Sequence, residues 1–486
     1  MKYLTKYILF LSVVFTLISC DEDYLDVNTD PNNPTSVSPE LALPVAQNYT
    51  ASSIYSNRYT NNLGNLFMYS HSQAYGFSWY TEEFQYLVNA SFYEQLWDYH
   101  YQSVLKQYHV LDYEVEGDTS NNNFRAISKI MKAFHFQVLV DLYGDIPYSE
   151  ALNRGGNITP AFDDAQEVYN SPLISELTTA IGLIDSSADN PGAQDIMFGG
   201  DMTKWKQFAN TVKMRILIRQ SGMADRAAYI QEQFDAIVAE GSGFITADAS
   251  VNPGYVNEEG KQNPLWAAFG KAVAGTVTLN NDATCASDFV LDYLTTSDDP
   301  RIDYLFEEPS AGHKGTPQGV TVGEDFNADN VSNIGPGILK GADQDAIIIS
   351  AAESHFLQSE AALHGFITGG DAVAKAHYDA GITASFATLG ATQGDYSGDS
   401  NWNNLSSKQE AIITQKWIAL MGTNGIETWF EYNRTGFPTG VPVSAAGDGV
   451  ADRPVRLLYP NSEISANTAK VPKQKDAFTD KIFWAN

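Results

Sequence analysis

The feature that most constrains the fold is a repeat of apolar residues between positions 124 and 143. Its members are spaced by three or four residues and lie on one face of an α-helix: Ile127, Met131, Phe134, Val138 and Leu142. Gly144 is a typical residue for the end of this helix, and Pro147 prevents it from resuming. The pattern predicts a long helix with one face in a core.

A second helix is predicted over residues 202–220. Asp201 is a suitable N-cap, and Gly222 is a suitable stop. Its apolar stripe is Trp205, Phe208, Val212 and Ile216. Five cations lie on the other faces, which predicts a solvated surface paired with acidic loops: Lys204, Lys206, Lys213, Arg215 and Arg219.

Further helical patterns cover residues 39–58, 82–115, 350–364, 371–387 and 407–421. Ser350 and Ser407 each stand three residues before a glutamate, which is the spacing of a capping box. The small residues of 371–387 predict a close helical hairpin with 350–364 through one face, made of Val373, Ala376, Ala380 and Ala384.

The remaining segments complete the predicted fold class. Residues 241–345 are rich in glycine, asparagine, aspartate and proline, and 454–460 reads as a short strand. The fold class predicted is mainly α, with helical hairpins, extended loop-rich regions and a few short strands.

The N-terminus indicates export. Lys2 and Lys6 precede an apolar run at 8–18, which is too short to cross about 30 Å of hydrocarbon. Ser19 and Cys20 follow, and residues 17–20 resemble the lipobox of bacterial lipoproteins. We expect residues 1–19 to be a signal peptide and Cys20 to be acylated; the alternative is a plain signal peptide with an incidental cysteine.

Composition limits what the mature chain can do. Residues 20–40 are acidic at their start and then rich in turn formers, which predicts a lipidated tether before a single domain at 41–486. The net charge of −30 disfavours a nucleic-acid partner. Cys285 is the only other cysteine, so core packing rather than an intramolecular disulfide must stabilise the domain.

Aromatic residues mixed with amides mark a candidate ligand site. Residues 61–80 follow neither a helical nor a strand period, and we predict an exposed aromatic loop or a loosely wound segment there. The predicted ligand-binding residues are Tyr75, Trp79, Tyr80 and Trp266, because aromatic faces stack on sugars. Nearby amides could bond hydroxyl groups: Asn61, Asn62, Asn65 and Gln73. The alternative is that these aromatics pack the loop onto the body.

Signals for catalysis and cofactors are poor. The sequence contains no His-Glu-x-x-His, Gly-x-Ser-x-Gly or phosphate-loop motif. Asp325, Asn327 and Asp329 have the oxygen spacing of half a calcium loop, but Asn330 and Pro336 exclude an EF-hand. A looser structural Ca²⁺ site or an ordinary turn remain as alternatives, and no other cofactor is expected.

Five segments together resemble one family, the SusD/RagB-like nutrient-binding lipoproteins of Bacteroidetes outer membranes. They are YLDVNTDPNNP (24–34), DLYGDIPYSEA (141–151), GDMTKWKQFAN (200–210), QKWIAL (415–420) and ETWFEYNRTGFP (427–438). The resemblance implies a helical body with tetratricopeptide-like hairpins, and Asp21-Glu22-Asp23 resembles the family's acidic export tag.

The resemblance also implies a function. It is the capture of a nutrient at the cell surface, an oligosaccharide or a peptide with the oligosaccharide favoured, and its delivery to a TonB-dependent SusC-like transporter barrel. A protein of this kind is lipid-anchored in the outer membrane and is not an enzyme. Two alternatives stay open: a lipoprotein hydrolase acting on glycans, and a helical-repeat scaffold that binds another protein.

Overall fold

The long predicted helix at 124–143 lies at the centre of the computed structural model, which describes residues 37–113, 115–153, 156–447 and 452–485. The predicted signal peptide 1–19, the acylated Cys20 and the tether up to residue 36 lie outside the described residues. Residues Pro39–Asn486 cluster into one compact unit. In the described part of the chain, no helix is long and apolar enough to span a membrane.

Most of the described secondary structure is α-helical. The first ten α-helices are α1 (Pro39–Tyr55), α2 (Thr60–Phe67), α3 (Thr81–Phe84), α4 (Glu94–Tyr99), α5 (Lys106–Tyr113), α6 (Asn122–Tyr143), α7 (Ala165–Val168), α8 (Ile174–Leu183), α9 (Met202–Arg219) and α10 (Ala227–Glu240). Those that follow are α11 (Pro264–Phe269), α12 (Leu279–Ala283), α13 (Asp288–Thr296), α14 (Ile302–Leu305), α15 (Ala351–Leu363), α16 (Gly370–Leu389), α17 (Asp399–Asn404), α18 (Lys408–Leu420), α19 (Gly425–Thr435) and α20 (Asn461–Ala466). The π-helical segment His100–Leu105 joins α4 to α5.

Four short strands form two antiparallel pairs. Strand β1 (His71–Gln73) pairs with β3 (Thr284–Ala286), and β2 (Ala249–Val251) pairs with β4 (Ala346–Ile349). The predicted fold class, mainly α with a few short strands, is therefore confirmed. The strand predicted at 454–460 is wrong, because that segment is irregular.

Helices α6 and α9 follow their predicted stripes and caps. All five stripe residues of α6 are buried, and α6 ends at Gly144, whose φ of 79° favours glycine. Asp201 caps α9 by accepting hydrogen bonds from the backbone N–H groups of Thr203 and Lys204, at 3.0 and 3.2 Å. The local sequence is sufficient to place both helices.

Helices α15 and α16 form the predicted hairpin through a different face. Ser350 caps α15 by accepting from the Glu353 N–H at 3.1 Å, as the capping box predicts. The buried face of α16 is Ala374, Tyr378, Gly381, Ile382 and Ser385, so the stripe predicted through Val373, Ala376, Ala380 and Ala384 is wrong. A Cβ atom at Gly381 would lie 2.8 Å from Phe356 Cε1, and this close approach requires glycine.

Residues 60–67 correct the prediction of an exposed loop over 61–80. They form α2, and every residue of α2 is buried. A Cβ atom at Gly64 would lie 2.0 Å from the carbonyl carbon of Gly425, so α2 and α19 cross backbone to backbone. The sequence shows no helical period of apolar residues here, because α2 is buried on all its faces and carries asparagines on some of them.

The cations of α9 were predicted to lie on a solvated face, but three of the five are buried. Lys213, Arg215 and Arg219 are buried. Four buried cations and five buried acids of α6, α9, α15, α18 and α19 form one ion-pair network: Arg215, Arg219, Lys416 and Arg434 with Asp141, Glu353, Glu360, Glu427 and Glu431. This network ties five helices together.

The network keeps several of its carboxylates charged. Burial alone would raise the pKa values of Glu360, Glu427 and Glu431. The surrounding guanidinium and ammonium groups outweigh burial and lower these pKa values, that of Glu431 to about 2.

Candidate functional site

The pairing of β1 with β3 brings together two segments that carry predicted ligand-binding aromatics. Gln73 lies opposite Thr284, and the Ala74 N–H donates to the Ala283 carbonyl at 2.9 Å. The loop 74–80 follows β1, and α11 and α12 precede β3. Tyr75 and Trp79 lie in the loop after β1, and Trp266 lies in α11, which precedes β3 in the chain.

The loop 74–80 exposes two of its aromatic side chains. Tyr75 is 43% exposed and Trp79 is 39% exposed. The rings of Trp79 and Phe77 pack edge to face, with their centroids 5.9 Å apart. Gln73 organises this loop: its Oε1 accepts from the Trp79 N–H at 2.8 Å, and its Nε2 donates to the Phe77 carbonyl at 2.8 Å. The loop thus presents aromatic faces on a hydrogen-bonded frame.

Tyr80 was predicted to bind ligand, but the structure places it in the core. Its side chain is only 2% exposed and packs with Leu66 and Phe84, and its hydroxyl bonds Thr284 Oγ1 at 2.6 Å. It is a core residue because the chain turns inward as α3 begins. For this residue the packing alternative is the right one.

The predicted amide partners are also corrected. Asn61 Nδ2 donates to the Gly422 carbonyl at 2.8 Å, and Asn65 Oδ1 accepts from the Gly422 N–H at 3.1 Å. Asn62 is buried as well, and Gln73 holds the loop. Asn61 and Asn65 serve the crossing of α2 with α19, and the three buried asparagines are not placed to bond a ligand, whereas Gln73 lines the same cavity as Tyr75.

Trp266 lies in the first turn of α11, which is capped by Asn263. Asn263 Oδ1 accepts from the N–H groups of Leu265 and Trp266 at 2.9 and 3.2 Å, and its Nδ2 donates to the Gln344 carbonyl at 2.9 Å. A Cβ atom at Gly270 would lie 2.5 Å from Trp266 Cδ2, so the indole rests directly on this glycine. The ring is therefore held in one place and remains half-buried.

Three cavities adjoin along this region. The largest, of about 590 Å³, shares Asp343 with a second of about 400 Å³. The second shares Trp266 and Lys271 with a third of about 440 Å³. We call these three cavities the Trp266 groove, because the indole is a wall of two of them. Tyr75 lines a different cavity, of about 320 Å³, so the structure does not bring Tyr75 and Trp266 into one cavity.

Sequence reasoning missed the polar residues of the third cavity. They are Lys271, Asn281, Asp282, Glu307, Glu308 and Asn333; Asp329 also lines this cavity but was predicted only as a calcium ligand. They come from separate segments of the chain, and a single acid in a loop carries no sequence signal of its own. Burial and then the charge of Asp329 raise the pKa of Asp282 above its ordinary value.

The structure shows the surroundings of Asp325 and Asp329, two of the three predicted calcium ligands. The Asp325 carbonyl accepts from Lys314 Nζ at 2.7 Å, which places a cation where Ca²⁺ would compete, and Asp329 lines the third cavity. The described part of the chain holds no group of three His, Cys, Asp or Glu side chains arranged for a metal ion. Calcium binding at Asp325, Asn327 and Asp329 stays a prediction.

Comparisons with known proteins agree on one family. A family model described as "Starch-binding associating with outer membrane" matches residues 31–460. A solved structure named as a chitin-binding protein is 25% identical, with a TM-score of 0.72 over 92% of this chain and 100% of that one. No curated protein matches the chain significantly.

Two further solved structures share the fold. A SusD homologue from Bacteroides uniformis is 24% identical, with a TM-score of 0.72 over 92% of this chain and 99% of that one. A chitin-binding SusD homologue from Flavobacterium johnsoniae is 22% identical, with a TM-score of 0.74 over 91% and 98%. The chain therefore belongs to the SusD-like family of Bacteroidetes, as the resemblance of its five sequence segments predicts.

Proposed function

We propose that this protein captures an oligosaccharide in the Trp266 groove and passes it to a TonB-dependent SusC-like transporter barrel. The observation that carries the proposal is the position of Trp266 as a shared wall of two adjoining cavities. The family description names starch binding, and one similar protein is named as chitin-binding. Both support a glycan as the ligand.

The chemistry of the groove suits a sugar chain. An indole face offers the C–H groups of a pyranose ring a flat surface, and carboxylates and amides at the edges accept hydrogen bonds from hydroxyl groups. Three adjoining cavities give room for several sugar units in a row. Tyr75 and Trp79 extend the aromatic surface beyond the groove and are proposed as secondary contacts.

We expect Trp266→Ala to weaken oligosaccharide binding roughly ten- to thirtyfold, the loss of about 1–2 kcal/mol of stacking. Isothermal titration calorimetry with chitin-derived and starch-derived oligosaccharides measures this. Gly270→Ala is a second variant that keeps the indole but displaces it, and it should also weaken binding. Trp402→Ala is the matched control, because Trp402 is a half-buried indole outside these cavities.

Other outcomes favour the alternatives. Unchanged affinity in Trp266→Ala would contradict the groove as the binding site. Release of shortened sugars during incubation would favour the hydrolase alternative. Co-purification with a transporter barrel but no binding of any oligosaccharide would favour the protein-binding scaffold.

Delivery to a barrel requires the protein to stay at the outer membrane, and we propose that acylation of Cys20 anchors it there, facing the cell exterior. We expect Cys20→Ala to release the folded protein from the membrane fraction, because an acyl chain contributes about 0.8 kcal/mol per buried CH₂. Membrane fractionation in cells lacking the barrel, with thermal melting of the released protein, checks both points. A mutant that still sediments with the outer membrane would contradict lipid anchoring.

A further inference from the structure

The third cavity of the Trp266 groove carries unbalanced negative charge. Asp282, Glu307, Glu308 and Asp329 line it, and Lys271 is the one cation among its lining residues. Within the described ranges, none of these four carboxylates forms an ion pair or accepts a side-chain hydrogen bond. This contrasts with the buried acids of the helical core, which are paired with arginine and lysine.

The backbone brings the segments that carry these carboxylates to one cavity, where Asp282 is half-buried and Glu307, Glu308 and Asp329 are exposed. Phe306 and Ile334 form an antiparallel bridge, and the Glu307 N–H donates to the Asn333 carbonyl at 2.9 Å. Asp282 lies in α12. The neighbouring Asn281 joins α12 to α11, because its Nδ2 donates a hydrogen bond to the Phe269 carbonyl at 2.7 Å. Burial and then the charge of Asp329 raise the pKa of Asp282, so keeping the Asp282 carboxylate charged costs free energy. A bound cation would offset that cost.

Asn333 provides an independent indication of a ligand with hydrogen-bond donors. It lines the cavity, is only 8% exposed, and has no partner for Oδ1 among the described residues. Its Nδ2 donates to the Ala328 carbonyl at 3.1 Å, so Oδ1 is identified as the free acceptor. A buried acceptor without a donor is unfavourable, and a ligand N–H or O–H group would satisfy it.

Two of the three acids that line the largest cavity are different, because the described residues already supply hydrogen-bond donors to Asp248 and Asp345 but not to the carboxylate of Asp343. Asp248 accepts from the Ala351 N–H and from Thr388 Oγ1, each at 2.8 Å. Asp345 accepts from Asn252 Nδ2 at 2.8 Å. The third cavity, which Trp266 lines, therefore carries four carboxylates without a partner among the described residues, whereas the largest cavity carries one, Asp343, together with Lys340.

We propose that the third cavity binds a protonated amino group of the ligand, and that the captured oligosaccharide contains free amino-sugar units. This rests on the proposed function of the groove. An ammonium group offers three donors to the carboxylates, and its positive charge is also attracted to the indole face. A sugar ring carrying that group would stack on Trp266 at the same time, which a thin lysine side chain would do less well.

Calorimetry with two matched ligands tests the proposal: a glucosamine tetramer and its N-acetylated counterpart. We expect the free amine to bind roughly tenfold tighter at mildly acidic pH. The preference should shrink as the pH rises and the ligand amine loses its proton, and also as salt screens the carboxylates. Asp282, Glu307, Glu308, Asp329 and Lys271 are the charged groups that face the amine.

Charge-neutralising variants sharpen the test. Asp282→Asn and Asp329→Asn should each reduce the preference for the free amine roughly two- to fivefold, with little change in affinity for the N-acetylated tetramer. Asp225→Asn is the matched control, because it makes the same charge change at a residue that lines none of the three cavities. It should leave the preference unchanged.

The outcomes separate this proposal from the proposed function. Equal or tighter binding of the N-acetylated tetramer, abolished by Trp266→Ala, would overturn the amino-sugar proposal and leave glycan capture standing. Absence of binding by any oligosaccharide would overturn both. Tighter binding of tetralysine than of the glucosamine tetramer would overturn it in favour of a basic peptide.

Discussion

Replacing Arg219 by methionine is expected to lower the free energy of unfolding by about 3–5 kcal/mol. Arg219 is fully buried, donates to Glu431 at 2.8 Å, pairs with Glu427 and lies 3.5 Å from Asp141. Methionine fills much of the volume but leaves Asp141 without its cation, and it takes one cation each from Glu427 and Glu431, which keep Arg215 and Lys416. The expected loss comes from uncompensated buried charge rather than from a cavity.

Chemical denaturation of the two proteins measures this difference. Lys206→Met is the matched control on the same helix, because Lys206 is partly exposed and lies 3.8 Å from Glu240. That control should change stability by less than about 1 kcal/mol. Equal effects of the two substitutions would show that the network adds nothing beyond a surface pair.

Trp205→Ala should cost about 3–5 kcal/mol of stability. The indole is fully buried in the core beside Phe198 and Phe208, and its Nε1 donates to Asp195 Oδ2 at 2.8 Å. Removing it leaves a cavity and takes one donor from a buried carboxylate, whose other partners include Gln47 and the Gly200 N–H. Both effects act in the same direction.

Thermal melting with Trp79→Ala as the comparison tests this expectation. Trp79 is 39% exposed, so its removal should leave the melting temperature nearly unchanged. A normal melting temperature for Trp205→Ala would place that residue outside the core. A large drop for Trp79→Ala would instead mean that Trp79 packs the loop 74–80, and its proposed contact with ligand would be withdrawn.

Patterns within one helix were readable from the sequence. Helices α6 and α9 and the caps at Asp201, Ser350 and Ser407 depend on neighbours three or four residues apart. Such signals are local, so they survive without knowledge of the tertiary structure. The aromatic character of Tyr75, Trp79 and Trp266 was also visible, although not which cavity each one lines.

Burial decided the rest, because it depends on what packs against a residue. The cations of α9 have the same sequence whether they face water or acidic residues. Arg215 and Arg219 are core residues because the tertiary fold packs Glu353, Glu427 and Glu431 against them. The same holds for the face of α16 that meets Phe356 across Gly381. The side on which such a residue lies is set by the neighbouring helix.

The sequence by itself determined the helical class, the main helix boundaries and the family to which the chain belongs. Only the tertiary structure decided which polar residues are available to a ligand. It buried Asn61 and Asn65 against Gly422, turned Tyr80 into the core, and gathered Asp282 and Asp329 beside Trp266. Contacts within a helix join near neighbours in the chain, whereas the groove joins residues tens of positions apart, and only folding sets the distances between them.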